Sequence, residues 1–201
     1  CAPTRYSLQF GKTPARIGIT RGLGPNNAEH DQVGIPQLLK RVDPRYRTAH
    51  LGKWHIDEDP SRYGYDLHDG ITKNKPGGFT QGNHKRQWTG YAEEDPKRME
   101  SLTNRAIEFL RDSVTQERPF FLQLSHYAVH SDIVFSDKSF DTTSTWLKGS
   151  LHSNASYAAM LKDLDDSIGV FLQSFKHLDL SRNTYIFFTS DNGGMPILPQ
   201  K

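Results

Sequence analysis

The run Pro119-Phe120-Phe121-Leu122-Gln123-Leu124-Ser125 constrains the fold of this chain more than any other stretch. It is compact and apolar, and it predicts a buried strand of a largely parallel sheet, where helices cover both faces. Two other segments predict companion strands: Tyr46–Leu51, and Asn183-Thr184-Tyr185-Ile186-Phe187-Phe188-Thr189-Ser190 near the end of the chain. Between them lie helical periods. Residues 3–10 predict a short helix with Pro3 in its first turn. Ile35–Val42 predicts another, with Pro36 in the first turn and Leu38, Leu39 and Val42 facing inward. Pro96–Val114 repeats Met99, Leu102, Ala106, Ile107 and Leu110. Asn154–Leu178 carries the strongest stripe, from Tyr157 and Met160 through Phe171 to Phe175. Strands alternating with helices make this an α/β chain. The Gly18–Glu29 stretch and residues 57–94 predict irregular loops, and 131–151 a polar connection anchored on the core by Trp146.

Composition enters mainly to exclude. The net charge of +2 over 201 residues, with no long basic run, gives no reason to expect nucleic acid. No apolar stretch approaches the roughly 18–20 residues that cross a bilayer. The single cysteine rules out an intramolecular disulfide. The chain has no initiator methionine and starts inside a motif, so the expectation is a piece of a longer protein, its 201 residues one domain or a large part of one.

Chemistry gathers at the ends of the predicted strands, the edge where open α/β sheets bind ligands. After Leu51 comes Gly52-Lys53-Trp54-His55, a cation and an imidazole suited to an anionic ester with a proton to move. After Ser125 comes His126-Tyr127-Ala128-Val129-His130; the i, i+4 histidines would suggest zinc on a helix, but they follow a strand directly. After Ser190 comes Asp191-Asn192-Gly193-Gly194, whose carboxylate and amide oxygens suit a hard cation such as Ca²⁺ or Mg²⁺. At the other end, Cys1-Ala2-Pro3-Thr4-Arg5 places a thiol and a permanent cation one turn apart at a helix N-terminus. Taken alone, this is either an anion site or a helix start with a chance cysteine. A mature lipoprotein also begins with Cys, but that explains none of the later motifs. Asp163, Asp165 and Asp166 resemble a metal cluster, yet neighbours on a helix diverge by about 100°, so they read as structural or solvated.

Cys1-x-Pro3-x-Arg5, with Gly11-Lys12-Thr13-Pro14-Ala15-Arg16 following, resembles the signature of the type I, formylglycine-dependent sulfatases. Gly52-Lys53-Trp54-His55, the Tyr63-Gly64-Tyr65-Asp66 turn and Thr189-Ser190-Asp191-Asn192-Gly193-Gly194 resemble that family too, in order. His130 matches the histidine of its x-Pro-His turn, with Val129 in place of the proline. The resemblance implies an alkaline-phosphatase-like α/β sandwich, a mixed, mainly parallel sheet flanked by helices, with residues 1–201 a fragment of one catalytic domain that lacks the first metal-binding strand and the C-terminal part. It implies that a maturation enzyme converts Cys1 to formylglycine, and that Cys1, Asp191 and Asn192 hold Ca²⁺ or Mg²⁺. Lys53 would grip sulfate, Arg5 would hold the nucleophile, and His55 would help expel sulfate. His130 would protonate the leaving alcohol. The implied substrates are sulfated small molecules or carbohydrates, and the expected locations periplasmic, secreted or lysosomal. A phosphonate or phosphate ester hydrolase of the same superfamily, or a noncatalytic sulfatase-like module, are the alternatives.

Overall fold

The computed structural model describes residues 1–19, 32–80, 84–150 and 152–194. In chain order these form α1 (Ala2–Phe10), α2 (Ile35–Val42), β1 (Arg47–Gly52), β2 (Leu67–His68), α3 (His84–Thr89) and β3 (Tyr91–Ala92). They continue with α4 (Met99–Thr115), β4 (Phe120–Ser125), β5 (Val134–Phe135), α5 (Asp137–Ser144) and α6 (Ala155–His177). The predicted 18–29 loop lies mostly outside the described residues. The chain divides into two compact units.

The first unit comprises residues 1–73, 108–125 and 185–193. Its sheet runs β2-β1-β4 and is wholly parallel, with Arg47 opposite Phe120 and Gly52 opposite Ser125. Central β1 is buried from Thr48 through Gly52, whereas β4 is only half-buried along its length, against the expectation from its apolar run. An aromatic nest covers the sheet. His50 meets Trp54 edge-on at 4.7 Å, Trp54 meets Tyr65 at 5.6 Å, and Tyr6, Phe10 and Tyr63 close the cluster with Ala2 and Ile19. On the helix side Phe109 of α4 packs edge-on against Phe120, with the Arg47 guanidinium over the Phe109 ring. Helix α2 forms where the period predicts it, but Leu38 and Val42 are exposed rather than inward.

The predicted last strand is the larger departure. Residues 184–190 join no ladder among the described residues, and Tyr185, Phe187 and Phe188 are exposed. Composition alone cannot make a strand, because the ladder needs a partner edge with free N–H and C=O groups.

The second unit comprises residues 74–107, 126–184 and 194–201. Strands β3 and β5 pair in parallel, and α5 packs on α6 over Ile133, Phe135, Ala159 and Met160. Helix α5 replaces the irregular connection expected at 131–151. Ser136 caps it by accepting from Ser139 N, and Asp163 of α6 accepts from Ser136 N, Ser136 Oγ and Ser139 Oγ. Asp163 therefore ties two helices together, and Asp166 pairs with Lys162. Trp146 is half-exposed rather than seated in the core.

Candidate active site

Helix α1 sets the site. Pro3 lies in its first turn, where a missing N–H costs no hydrogen bond, and Arg5 N closes the first turn on Cys1 O at 3.1 Å. Tyr6 and Phe10 sit in the aromatic nest, so the burial of one helical face fixes where Cys1 and Arg5 stand. Arg5 is itself buried. It donates to Lys53 O, and its Nε and Nη2 grip Oδ2 of Asp191 at 2.9 and 2.8 Å.

The β1–β4 ladder continues one residue past the strand, with Lys53 N donating to Ser125 O at 2.8 Å. Thr72 then holds the turn. Its Oγ1 donates to Gly52 O and accepts from Trp54 N, and its carbonyl accepts from His55 N. Trp54 is buried and donates from Nε1 to Glu58 O. This delivers Lys53 Nζ to Cys1 Sγ at 3.2 Å, and Cys1 Sγ donates in turn to Asn192 Oδ1 at 3.0 Å.

Five of the seven predicted residues thus converge: Cys1, Arg5, Lys53, Asp191 and Asn192. The convergence survives the loss of the last strand, because Asp191 is held by the Arg5 ion pair instead of a ladder. His55 leaves the line of the strand. Its φ of 59° ends the extended geometry, so it does not continue a strand face shared with Lys53. Its Nδ1 is buried without a partner among the described residues, a strained and unsatisfied residue of the kind that gathers at functional sites. His130 belongs to the second unit. Its Nδ1 bonds Ser131 O at 2.7 Å, its Nε2 meets Asn74 Nδ2 at 3.1 Å, and Phe79 stands edge-on to the ring at 5.1 Å.

The electrostatics follow from crowding cations in a half-buried place. Burial first, and then the charge of Arg5, lower the Lys53 ammonium to about 8. Burial, then Lys53 and Arg5, lower His55 to about 4, so its ring is neutral and able to accept a proton near pH 7. Burial pushes the Asp191 carboxyl up, but Arg5 and Lys53 outweigh it and hold it below the usual carboxylate range. The arrangement is an anion receptor around a sulfur atom, with one carboxylate among the cations.

Asp191 and Asn192 also fit a hard cation in kind, one carboxylate oxygen and one amide oxygen. Among the described residues no group of three or more His, Cys, Asp or Glu converges, so they are two of the about 6–8 oxygens that Ca²⁺ takes. Sequence reading missed Thr72 and Asn74. Neither belongs to a motif, and both act through residues up to 56 positions away.

A sulfatase family model matches residues 1–197. The chain is 30% identical to N-acetylgalactosamine-6-sulfatase of Rattus norvegicus, over all of this chain and 42% of that protein. It is 26% identical to arylsulfatase A of Bos taurus, over 96% of this chain and 42% of that protein. The chain therefore spans less than half the length of these relatives. The crystal structure of Ps i-CgsB in complex with k-i-k-neocarrahexaose superposes with a TM-score of 0.67 at 22% identity, covering 89% of this chain and 45% of that one. That likeness shows the expected α/β fold, parallel strands flanked by helices. The match along nearly the whole chain, on the residues that surround Cys1, settles the family: the chain belongs to the sulfatases.

Proposed function

We propose that the protein carrying this chain hydrolyses sulfate esters of carbohydrates or other small molecules, with the residues around Cys1 as the reacting centre. The observation that carries this reading is the placement of the Cys1 side chain between Lys53 Nζ at 3.2 Å and Asn192 Oδ1 at 3.0 Å, beside the Arg5–Asp191 pair. Sγ stands where a formylglycine oxygen would be after maturation by a formylglycine-generating enzyme. That group, as its hydrate, would supply the oxygen nucleophile. Asp191 and Asn192 would hold Ca²⁺ or Mg²⁺, which when bound would supply positive charge to the sulfate oxygens.

The remaining work falls to the chain's own side chains. Lys53, cationic below about pH 8, neutralises charge on the sulfuryl oxygens as the S–O bond breaks. Arg5 orients Asp191 and holds the backbone of Lys53. His55, neutral above about pH 4, takes a proton from the nucleophile's second hydroxyl as sulfate leaves. His130 gives its proton to the departing alcohol, a role that rests on its match to the family histidine. The names of the rat relative and of the Ps i-CgsB complex favour a sulfated sugar as substrate. Residues 1–201 are proposed as part of one catalytic domain.

The test is hydrolysis of an aryl sulfate in heavy-oxygen water by the full-length protein, co-expressed with a maturation enzyme. Label should enter sulfate and not the phenol, and peptide mass spectrometry should find an aldehyde in place of the Cys1 thiol. Label in the phenol, or faster turnover of the matched phosphate ester, would sink the reading.

A further inference from the structure

The second unit holds its histidine with unusual care. Two segments interlock there, residues 74–80 and 126–132. Gly77 lies so close to Tyr127 that a Cβ on it would come within 2.3 Å of the tyrosine Cβ, so only glycine permits the contact. Thr80 Oγ1 donates to the buried Asp132 carboxylate. Asn74 caps the turn, its carbonyl accepting from Gly77 N at 3.1 Å. Between these fixings the His130 ring meets Ser131 O, the Asn74 amide and the Phe79 ring.

Two of the contacts agree on one protonation state. A carbonyl oxygen only accepts, so the 2.7 Å contact to Ser131 O puts a proton on Nδ1. An amide nitrogen only donates, so the 3.1 Å contact to Asn74 Nδ2 leaves a lone pair on Nε2. The neutral ring is thus held as the Nδ1–H tautomer with Nε2 ready for a proton. A charged ring would set Nε2–H against the amide N–H. The way out is already present, because Asn74 Oδ1 is buried with no hydrogen-bond partner among the described residues. An orphaned acceptor of this kind costs free energy until a donor reaches it. Rotating the amide by half a turn gives Oδ1 the Nε2–H of the charged ring.

We infer that Asn74 is the positioning residue for His130: its amide donates to Nε2 of the neutral ring and, turned over, accepts from Nε2–H of the charged ring. The inference rests on the proposed role of His130 as proton donor. The proton arrives on Nε2 from solvent and leaves to the ester oxygen as the S–O bond breaks, returning the ring to the neutral tautomer and the amide to its first orientation. Asn74 touches no reacting atom in this scheme.

The test reads the ring directly, by nitrogen NMR of ¹⁵N-histidine-labelled full-length protein, with His130 assigned from the His130→Gln spectrum. The wild type should show Nδ1 protonated and Nε2 unprotonated when the ring is neutral. Asn74→Asp keeps the volume but offers only acceptors, so it should raise the pH at which Nε2 loses its proton by about one unit or more. Asn74→Leu should give mixed tautomers. It should also lower kcat about tenfold on an alkyl sulfate, with KM and turnover of nitrophenyl sulfate little changed, since a poor leaving group needs the proton most. The other ionisable groups on the two segments, Lys75, His126, Tyr127 and Asp132, remain in every variant, so differences among them report the amide. An unchanged tautomer and midpoint in both variants would overturn the inference. A shifted tautomer with equal losses on both esters would uphold the positioning and overturn His130 as the acid.

Discussion

Two segments of the first unit bring charged side chains to Cys1 by opposite means. Strand β1 and its extension, residues 47–55, lie at the centre of a parallel sheet with Ala49, His50 and Leu51 fully buried, and the ladder itself aims Lys53. Residues 184–192 have the more apolar strand-like composition, yet Tyr185 and Phe187 are each 91% exposed, and the end is fastened by the Arg5–Asp191 ion pair and the Cys1–Asn192 hydrogen bond rather than by a ladder. A side chain aimed by a buried ladder inherits the rigidity of the core. One aimed by an ion pair depends on two charges, and part-exposed pairs contribute little stability by themselves. The comparison teaches that the position of a functional group and the stability of the segment that carries it are separate properties.

The largest expected effect concerns function. In the mature full-length protein, Lys53→Met should lower kcat/KM for an aryl sulfate by about 10²–10³, the usual consequence of removing one group aimed at developing charge. Calorimetry should find its affinity for Ca²⁺ little changed. Asp191→Asn should instead weaken Ca²⁺ binding, and it also leaves Arg5 without its carboxylate. If Lys53→Met weakens metal binding as much as Asp191→Asn does, the two segments do not have separate tasks.

Stability should divide the segments next. Leu51 is fully buried in β1, and Leu51→Ala should cost about 2–5 kcal/mol in urea unfolding of this chain. Phe187→Ala should stay within about 0.5 kcal/mol, as substitutions at exposed sites do. Equal losses would mean that Phe187 packs in solution, and the contrast between the segments would disappear.

What the sequence made legible follows the same division. Strand β1, helix α4 and helix α6 were readable because burial leaves a period in the residues, and the five convergent site residues because they fall in short motifs, Cys1 and Arg5 at a helix start, Lys53 after a strand, and Asp191 and Asn192 before paired glycines. Less was legible where an outcome depends on a distant partner. The apolar run 184–190 says nothing about which edge would receive it. Leu38 and Val42 complete a helical stripe on α2 but stand exposed. Helix α5 lacks an apolar stripe; the Ser136 cap, Asp163 27 positions on and the single ring of Phe140 stacked on Phe135 hold it in place. His55 turns into the left-handed region because Thr72 binds Trp54 and His55 together, a contact no local pattern encodes.

The smallest effect separates the two segments by acid. His50 lies in the middle of β1, fully buried, with Nε2 on Ser125 Oγ at 3.2 Å and Nδ1 unpartnered among the described residues. Burial, with a further contribution from Arg5, lowers its ring from 6.5 to about 3. The unfolded chain therefore takes up a proton near pH 6.5 that the folded chain refuses until about pH 3. Stability must fall as the pH drops through that window, by up to about 1.4 kcal/mol per pH unit. Asp191 acts in the same sense, but in a lower pH window. Its folded carboxyl titrates below the unfolded value of 3.8, so its contribution is intact above that value and is lost only in stronger acid. Between pH 6 and 4.5 the loss thus belongs to buried histidines, with His55 acting in the same direction as His50. His50→Phe keeps a flat ring against Trp54 and Tyr65 and removes one titrating group. Urea midpoints of this variant should depend less steeply on pH across 6 to 4.5 than those of the wild type. An unchanged slope would mean that the His50 ring accepts its proton inside the folded sheet, and β1 would then be less rigidly buried than residues 47–52 indicate.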